Sequence, residues 1–213
     1  MSHAHDDHHG HEHPNPHPTR PDEAGPLTYY QAMEIAVREL LIERGILTAD
    51  EVRAQVERMD SRTPALGARV VARAWTDPAF KARLLADGNA AVEELGLERG
   101  AYQLMVVENT PAVHNVIVCT LCSCYPRWLL GLPPDWYKSR EYRSRVVRDP
   151  RAVLAEFGLT LAADVVVRVH DSTADLRYLV LPLRPAGTAA LSEAELAALV
   201  TRDTMVGVAV PRA

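Results

Sequence analysis

Every cysteine of the chain lies in one short run: Cys119, Cys122 and Cys124 within "VCTLCSCYP", residues 118–126. Three thiols in six positions suit neither a disulfide, which would leave one unpaired, nor an ordinary structural zinc site, which draws four ligands from two separated pairs. Iron–sulfur clusters also call for four thiolates. Only His114 and His170 lie outside the N-terminal arm, and a Cys3His zinc site using His114 stays open. The other solution takes the missing ligands from the backbone. The sulfurs of Cys122 and Cys124 and the amide nitrogens of Ser123 and Cys124 can close successive chelate rings into a planar S2N2 claw. Cys119 then supplies an axial thiolate and the sixth position stays open, as catalysis at a metal requires. Deprotonated amides demand a strong Lewis acid such as trivalent cobalt or iron. A small residue between the two cysteines lets such a claw close.

The chain around this run is ordinary in composition. Its 213 residues carry 47% apolar and 24% charged side chains with a net charge of −5, which points away from nucleic acid and anionic membranes as partners. No apolar run reaches bilayer length and the N-terminus lacks a signal-peptide pattern, so a cytoplasmic protein is expected. Seven of the nine histidines fall in the first 17 residues. Residues 1–26 are expected to form a disordered arm that either collects metal loosely or only solubilises.

Residues 27–100 read as helices. Capping boxes are expected at Thr28/Gln31 and Thr48/Glu51, with Met33, Val37, Leu40 and Leu41 along one face of the first helix. Asp77-Pro78 opens a later helix that Gly88 is expected to close. Residues 101–213 change texture. "YQLMVVEN" and "AVHNVIVCTL" read as strands around a Thr-Pro turn, and the cysteines fall on the loop after the second. The helical segments "DWYKSREYRSRVV" and "DPRAVLAEFG" follow. Two more strands, "DVVVRVHD" and "LRYLVLPLRP", precede a helix capped by Ser192/Glu195. The expected fold is α+β: a helical arm and then a mixed, layered α-β-β-α domain that carries the sulfur site. Trp75, Trp136, Tyr137 and Tyr142 are expected as core or interface anchors, and Arg143, Arg145 and Arg148 as a solvated or subunit-facing stripe.

"VCTLCSC" resembles the metal-binding motif of the nitrile hydratase alpha-subunit family, with Thr120 as in its cobalt form. "GARVVARAWTDPAFKARLLADG", "VENTPAVHNVIVCTLCSCYP", "LGLPPDWYKS", "LRYLVLPLRPAGT" and "LVTRDTMVGVAVP" extend the resemblance over roughly residues 28–210. The resemblance implies Co(III), with Fe(III) as alternative, held by Cys119, Cys122, Ser123 and Cys124. It implies Cys122 oxidised to sulfinic and Cys124 to sulfenic acid, with Cys124 and Ser123 at the catalytic centre. It further implies a beta-type partner subunit in a heterodimer or heterotetramer, a cobalt-inserting activator, and a small nitrile hydrated to an amide. The chain departs from the family where "CYPWP" becomes Cys124-Tyr125-Pro126-Arg127-Trp128, and where "LERGAYQLM" stands in place of a "QGE" stretch. Arg127 and Trp128 are therefore the expected altered substrate wall. Arg127, the "AMEIAVRELLIERG" helix and the histidine arm resemble instead the thiocyanate hydrolase gamma subunit. Thiocyanate hydrolysis at the same claw is thus the alternative activity, and a non-catalytic metal-binding module a second.

Overall fold

The computed structural model describes residues 26–213. Nearly all of the histidine arm expected at 1–26 lies outside the described residues.

Two N-terminal helices, α1 (Tyr29–Glu43) and α2 (Ala49–Asp60), begin at reciprocal capping boxes. Thr28 and Gln31 exchange bonds at the first, Thr48 and Glu51 at the second, so two orphan amides at each start are satisfied locally. Neither helix buries a residue. The apolar face expected on α1 exists, but Met33, Val37 and Leu40 remain exposed.

The core begins with α3 (Pro64–Thr76), α4 (Pro78–Ala86) and α5 (Gly88–Glu94), with Pro at the start of α3 and α4 where a missing N–H costs nothing. Gly88 does not close α4; Asp87 ends that helix and caps the next, and Gly88 is the first residue of α5. Its small size has another cause. A Cβ there would stand 2.6 Å from the Leu104 carbonyl oxygen, so only glycine lets α5 lie this close to the first strand.

Four strands follow, interrupted by helices: β1 (Gln103–Glu108), β2 (Val113–Val118), then α6 (Arg127–Leu130), α7 (Asp135–Lys138), α8 (Arg140–Arg145) and α9 (Pro150–Glu156), then β3 (Val166–Asp171) and β4 (Leu176–Leu181). The segment "DWYKSREYRSRVV" is two helices rather than one, because Ser139 is extended and caps α8 through Tyr142 N. Two more helices, α10 (Glu193–Ala198) and α11 (Arg202–Val206), end the chain.

β1 and β2 are joined by a short turn yet do not pair as a hairpin. β1 runs parallel to β4, and β2 parallel to β3. Each two-stranded sheet therefore takes one strand from each half of the domain. The parallel pairing obliges a long crossover, which α6–α9 provide. α4 and α5 pack on β1, β2 touches β4, and α9 packs on β3. The order is α-β-β-α, as expected. Val116, Ile117, Leu179, Val180 and Leu181 are buried between these layers, each contributing about 1.5–3 kcal/mol on leaving water. No helix among the described residues is long and apolar enough to cross a membrane.

Candidate metal centre

The cysteine loop leaves β2 at Cys119 and ends at α6. β2 is buried from His114 onward, so its last residues are immobilised by packing and the loop starts from a rigid edge. Beyond that, side chains from two other elements hold the loop, and one from a third holds the strand end that leads into it. Thr120 donates through N (2.9 Å) and Oγ1 (2.6 Å) to the two carboxylate oxygens of Asp171, at the end of β3. Tyr137 of α7 donates to the Cys124 carbonyl at 2.9 Å, and Tyr142 of α8 to the Ile117 carbonyl at 2.7 Å. Both tyrosines are fully buried, and burial raises both phenols above their usual range, so they stay protonated donors.

The three sulfurs converge within this frame. All lie within 4.8 Å of one another, with Cys119 and Cys122 Sγ 3.5 Å apart and Cys122 and Cys124 Sγ 3.2 Å apart. Cys119 is buried, Cys124 half-buried and Cys122 exposed. The Cys122 N–H also points at the Cys119 sulfur, at 3.4 Å. One negative charge is readily shared here. Hydrogen bonds from Cys124 and then Cys119 bring the Cys122 thiol down to about 7. Burial, and then the bond to Cys122, push Cys124 up to about 12, with the Arg177 charge acting in the opposite sense. Three close thiols with one predisposed to ionise are a soft donor set suited to a transition metal. The residues present fit such an ion.

The histidine route is closed in this structure. His114 Nε2 is 2.7 Å from the Gly207 carbonyl and Nδ1 is 3.3 Å from Asn109 Nδ2. His170 Nε2 is 2.8 Å from Asn115 Oδ1. Burial lowers both imidazoles and so favours their neutral form within this hydrogen-bonded network.

Cys122, Ser123 and Cys124 open onto a cleft of about 410 Å³ that also takes in Arg127, Trp128, Arg62 and Arg177. The two expected wall residues are thus beside the sulfurs, Arg127 exposed and Trp128 buried. Trp128 is pinned against Gly100, where a Cβ would stand 2.3 Å from its ring; glycine at 100 is what lets the indole lie flat on the cleft wall. The helical half contributes as well. Arg62 donates to Glu98 at 2.8 Å, and both residues line the cleft, although nothing in their local sequence marks them. Arg177, absent from the sequence-derived candidates, does carry a signal that could have found it: it shares strand parity with the buried Leu179 and Leu181, and a charge on the inward face of a strand is a departure from pattern. Arg143 and Arg148 bond backbone carbonyls of their own helix region, whereas Arg145 pairs with Glu156.

The chain matches the family model described as nitrile hydratase, alpha chain, over residues 28–209. It is 52% identical over 180 residues to the low-molecular-weight cobalt-containing nitrile hydratase subunit alpha of Rhodococcus rhodochrous, covering 83% of this chain and 86% of that one. It is 44% identical over 195 residues to the thiocyanate hydrolase subunit gamma of Thiobacillus thioparus, covering 86% and 80%. A solved recombinant thiocyanate hydrolase with partially modified cobalt centres superposes with a TM-score of 0.82 at 43% identity, over 87% of this chain and 91% of that one. The chain belongs to the nitrile hydratase alpha-chain family.

Proposed function

We propose that this chain is the alpha subunit of a cobalt nitrile hydratase, converting small nitriles to amides beside a beta-type subunit. The observation that carries the reading is the convergence of three sulfurs on a clamped loop that opens into a cleft. Cys119, Cys122 and Cys124 would hold the metal through sulfur, and Ser123 and Cys124 through their amide nitrogens. Cobalt rather than iron follows from Thr120 and from the cobalt-containing relative. Bound there, the trivalent ion supplies Lewis acidity that polarises a nitrile carbon and acidifies water.

The chain's own groups do the rest. Tyr137 fixes the peptide after Cys124, and Asp171 fixes the start of the loop, so the donors are preorganised. Cys122 as sulfinic and Cys124 as sulfenic acid would place oxygen atoms at the cleft floor. A sulfenate oxygen on Cys124 could take the proton of an attacking water, whose oxygen would add to the nitrile carbon while the proton passes on to the nitrile nitrogen. Trp128 shields one side of the cleft from water. We read 101–213 as the metal-bearing portion and 27–100 as its helical support, with α1 and α2 given over to the partner.

Thiocyanate hydrolysis is the second reading, favoured by the cleft's cations. Among the described residues neither Arg127 nor Arg177 has an ion-pair partner, and a cationic cleft suits an anion. One experiment separates the two. The complex purified with its beta-type subunit is assayed for metal, for amide from an aliphatic nitrile, and for carbonyl sulfide from thiocyanate. About one cobalt per chain with amide formation is expected. Zinc in the active protein, or thiocyanate turnover with negligible nitrile turnover, would overturn the first reading.

A further inference from the structure

Arg177 is only 6% exposed. The pleat of β4 turns it to the face shared by Leu179 and Leu181. Its Nη1 donates to the carbonyls of Thr173, of Ala174 at 3.2 Å and of Leu176 at 3.1 Å. Its guanidinium carbon sits 4.0 Å from the centre of the Tyr102 ring, a cation–π contact that holds the fork from the other side. So clamped, it lines the cleft together with Cys122 and Cys124.

A buried guanidinium ordinarily faces a carboxylate, because a desolvated charge is costly unless an opposite charge answers it. Carbonyl oxygens and an aromatic ring supply partial charge only. Among the described residues no carboxylate is within ion-pair distance of Arg177. The other arginines of the cleft differ. Arg62 is answered by Glu98, and Arg127 is exposed, where water and salt screen it. Lining the same cleft as Arg177 are two members of the sulfur cluster, Cys122 and Cys124. Three thiolates on these cysteines and Cys119 would leave one negative charge over around a divalent cation, and with the Ser123 and Cys124 amides deprotonated they would leave two around a trivalent one.

We infer that Arg177 is a positioning residue of the sulfur site: its fixed positive charge is the counter-charge to the anionic metal–thiolate unit formed on Cys119, Cys122 and Cys124. The inference rests on reading those cysteines as a metal site. Arginine at 177 then has two separable duties, a structural one through three carbonyls and an electrostatic one through its charge. Lysine would keep the charge and lose the planar fork; methionine would keep the length and lose both.

The test uses the full-length chain, reduced, metal-free and under argon, titrated with Co(II) alone. The thiolate-to-cobalt absorption reports binding, and competition with a chelator gives the affinity. Thermal unfolding of each metal-free variant gives the structural effect. Arg177→Met is expected to weaken Co(II) binding by about tenfold to a hundredfold and to shift the absorption. Arg177→Lys is expected to lose as much thermal stability as Arg177→Met yet keep most of the affinity and the unmutated absorption. Tyr102→Leu, which loosens the fork and leaves the charge, serves if Arg177→Met fails to fold; it should broaden the absorption with a smaller loss of affinity. Equal Co(II) affinity and absorption in unmutated and Arg177→Met protein would overturn the inference and leave the metal site standing. Affinity that falls in step with stability in both Arg177 variants would reduce Arg177 to a structural clamp. Failure of the unmutated chain to bind Co(II) through sulfur would overturn the metal reading and the inference together.

Discussion

Arg127 is the first residue of α6, just after its N-cap Pro126, and lines the sulfur cleft as an exposed side chain. A cation in that place does one of two things. With a neutral nitrile it serves the protein surface or the partner, so Arg127→Trp, which extends the apolar wall begun by Trp128, should leave nitrile turnover unchanged or raise it. With thiocyanate it attracts and orients the substrate. Its loss would then forfeit a charge-assisted contact of about 1.5–3 kcal/mol, or roughly tenfold to a hundredfold in kcat/KM. Salt gives a second handle, since screening weakens capture of an anion and spares a neutral molecule. The expected outcome is nitrile turnover in Arg127→Trp at least equal to the unmutated complex and insensitive to salt. A fall in nitrile kcat/KM by tenfold would show that the guanidinium acts in that reaction after all.

At the scale of elements, the loop is shaped by its neighbours, and two buried tyrosines test this as a pair. Tyr137→Phe leaves the Cys124 carbonyl without its donor, and Tyr142→Phe does the same to Ile117. Each should cost about 1–3 kcal/mol in denaturant unfolding, the penalty of an unmet buried carbonyl. Their effects on metal should diverge. Tyr137→Phe frees the loop itself and is expected to lower cobalt content after expression, whereas Tyr142→Phe touches β2 and should load normally. Equal loading in both would remove Tyr137 from the positioning of the claw. Such anchors are not legible in sequence. "DWYKS" identifies Tyr137 as a buried aromatic, but its partner is 13 residues away across a loop, and no period or motif encodes that. What is legible is local: the capping boxes at Thr28, Thr48 and Ser192 are each written within four residues, and so is the sulfur run. Strand pairing belongs with the tyrosines. The turn between β1 and β2 invites a hairpin, and it is the buried Asn109–Asn115 contact, with Asn109 Oδ1 accepting from Asn115 N and Nδ2, that ties off the switch between sheets. α6 and α11 are too short to show periodicity, and Arg62 and Glu98 meet across 36 residues.

The whole molecule presents an uneven surface. Its body is well packed, yet α1 carries Met33, Val37 and Leu40 on one side at 41%, 49% and 45% exposure. Spacings of four and three place them on one face. Tyr29, Tyr30 and Leu27 extend the apolar stretch at its start, and an apolar strip of this size marks a contact surface. Leu121, at the tip of the sulfur loop, is 87% exposed, so that loop too ends in an apolar knob directed outward. A beta-type subunit covering both features would complete the walls of a cleft that this chain leaves open. Two consequences follow for the assembly. If a partner supplies part of the enclosure that excludes water and tunes the metal, as proposed, the isolated, metal-loaded chain should turn over far more slowly than the complex. Val37→Asp with Leu40→Asp should weaken the complex while leaving the chain's own unfolding midpoint close to unchanged, since neither side chain is part of its core. Each residue buried in a contact is worth about 1.5–3 kcal/mol, so the double variant should raise the dissociation constant by at least tenfold. Size-exclusion chromatography of the co-expressed pair across a dilution series reads the shift. Co-elution at unchanged affinity would mean that the partner sits elsewhere and that α1 faces water in the assembled enzyme.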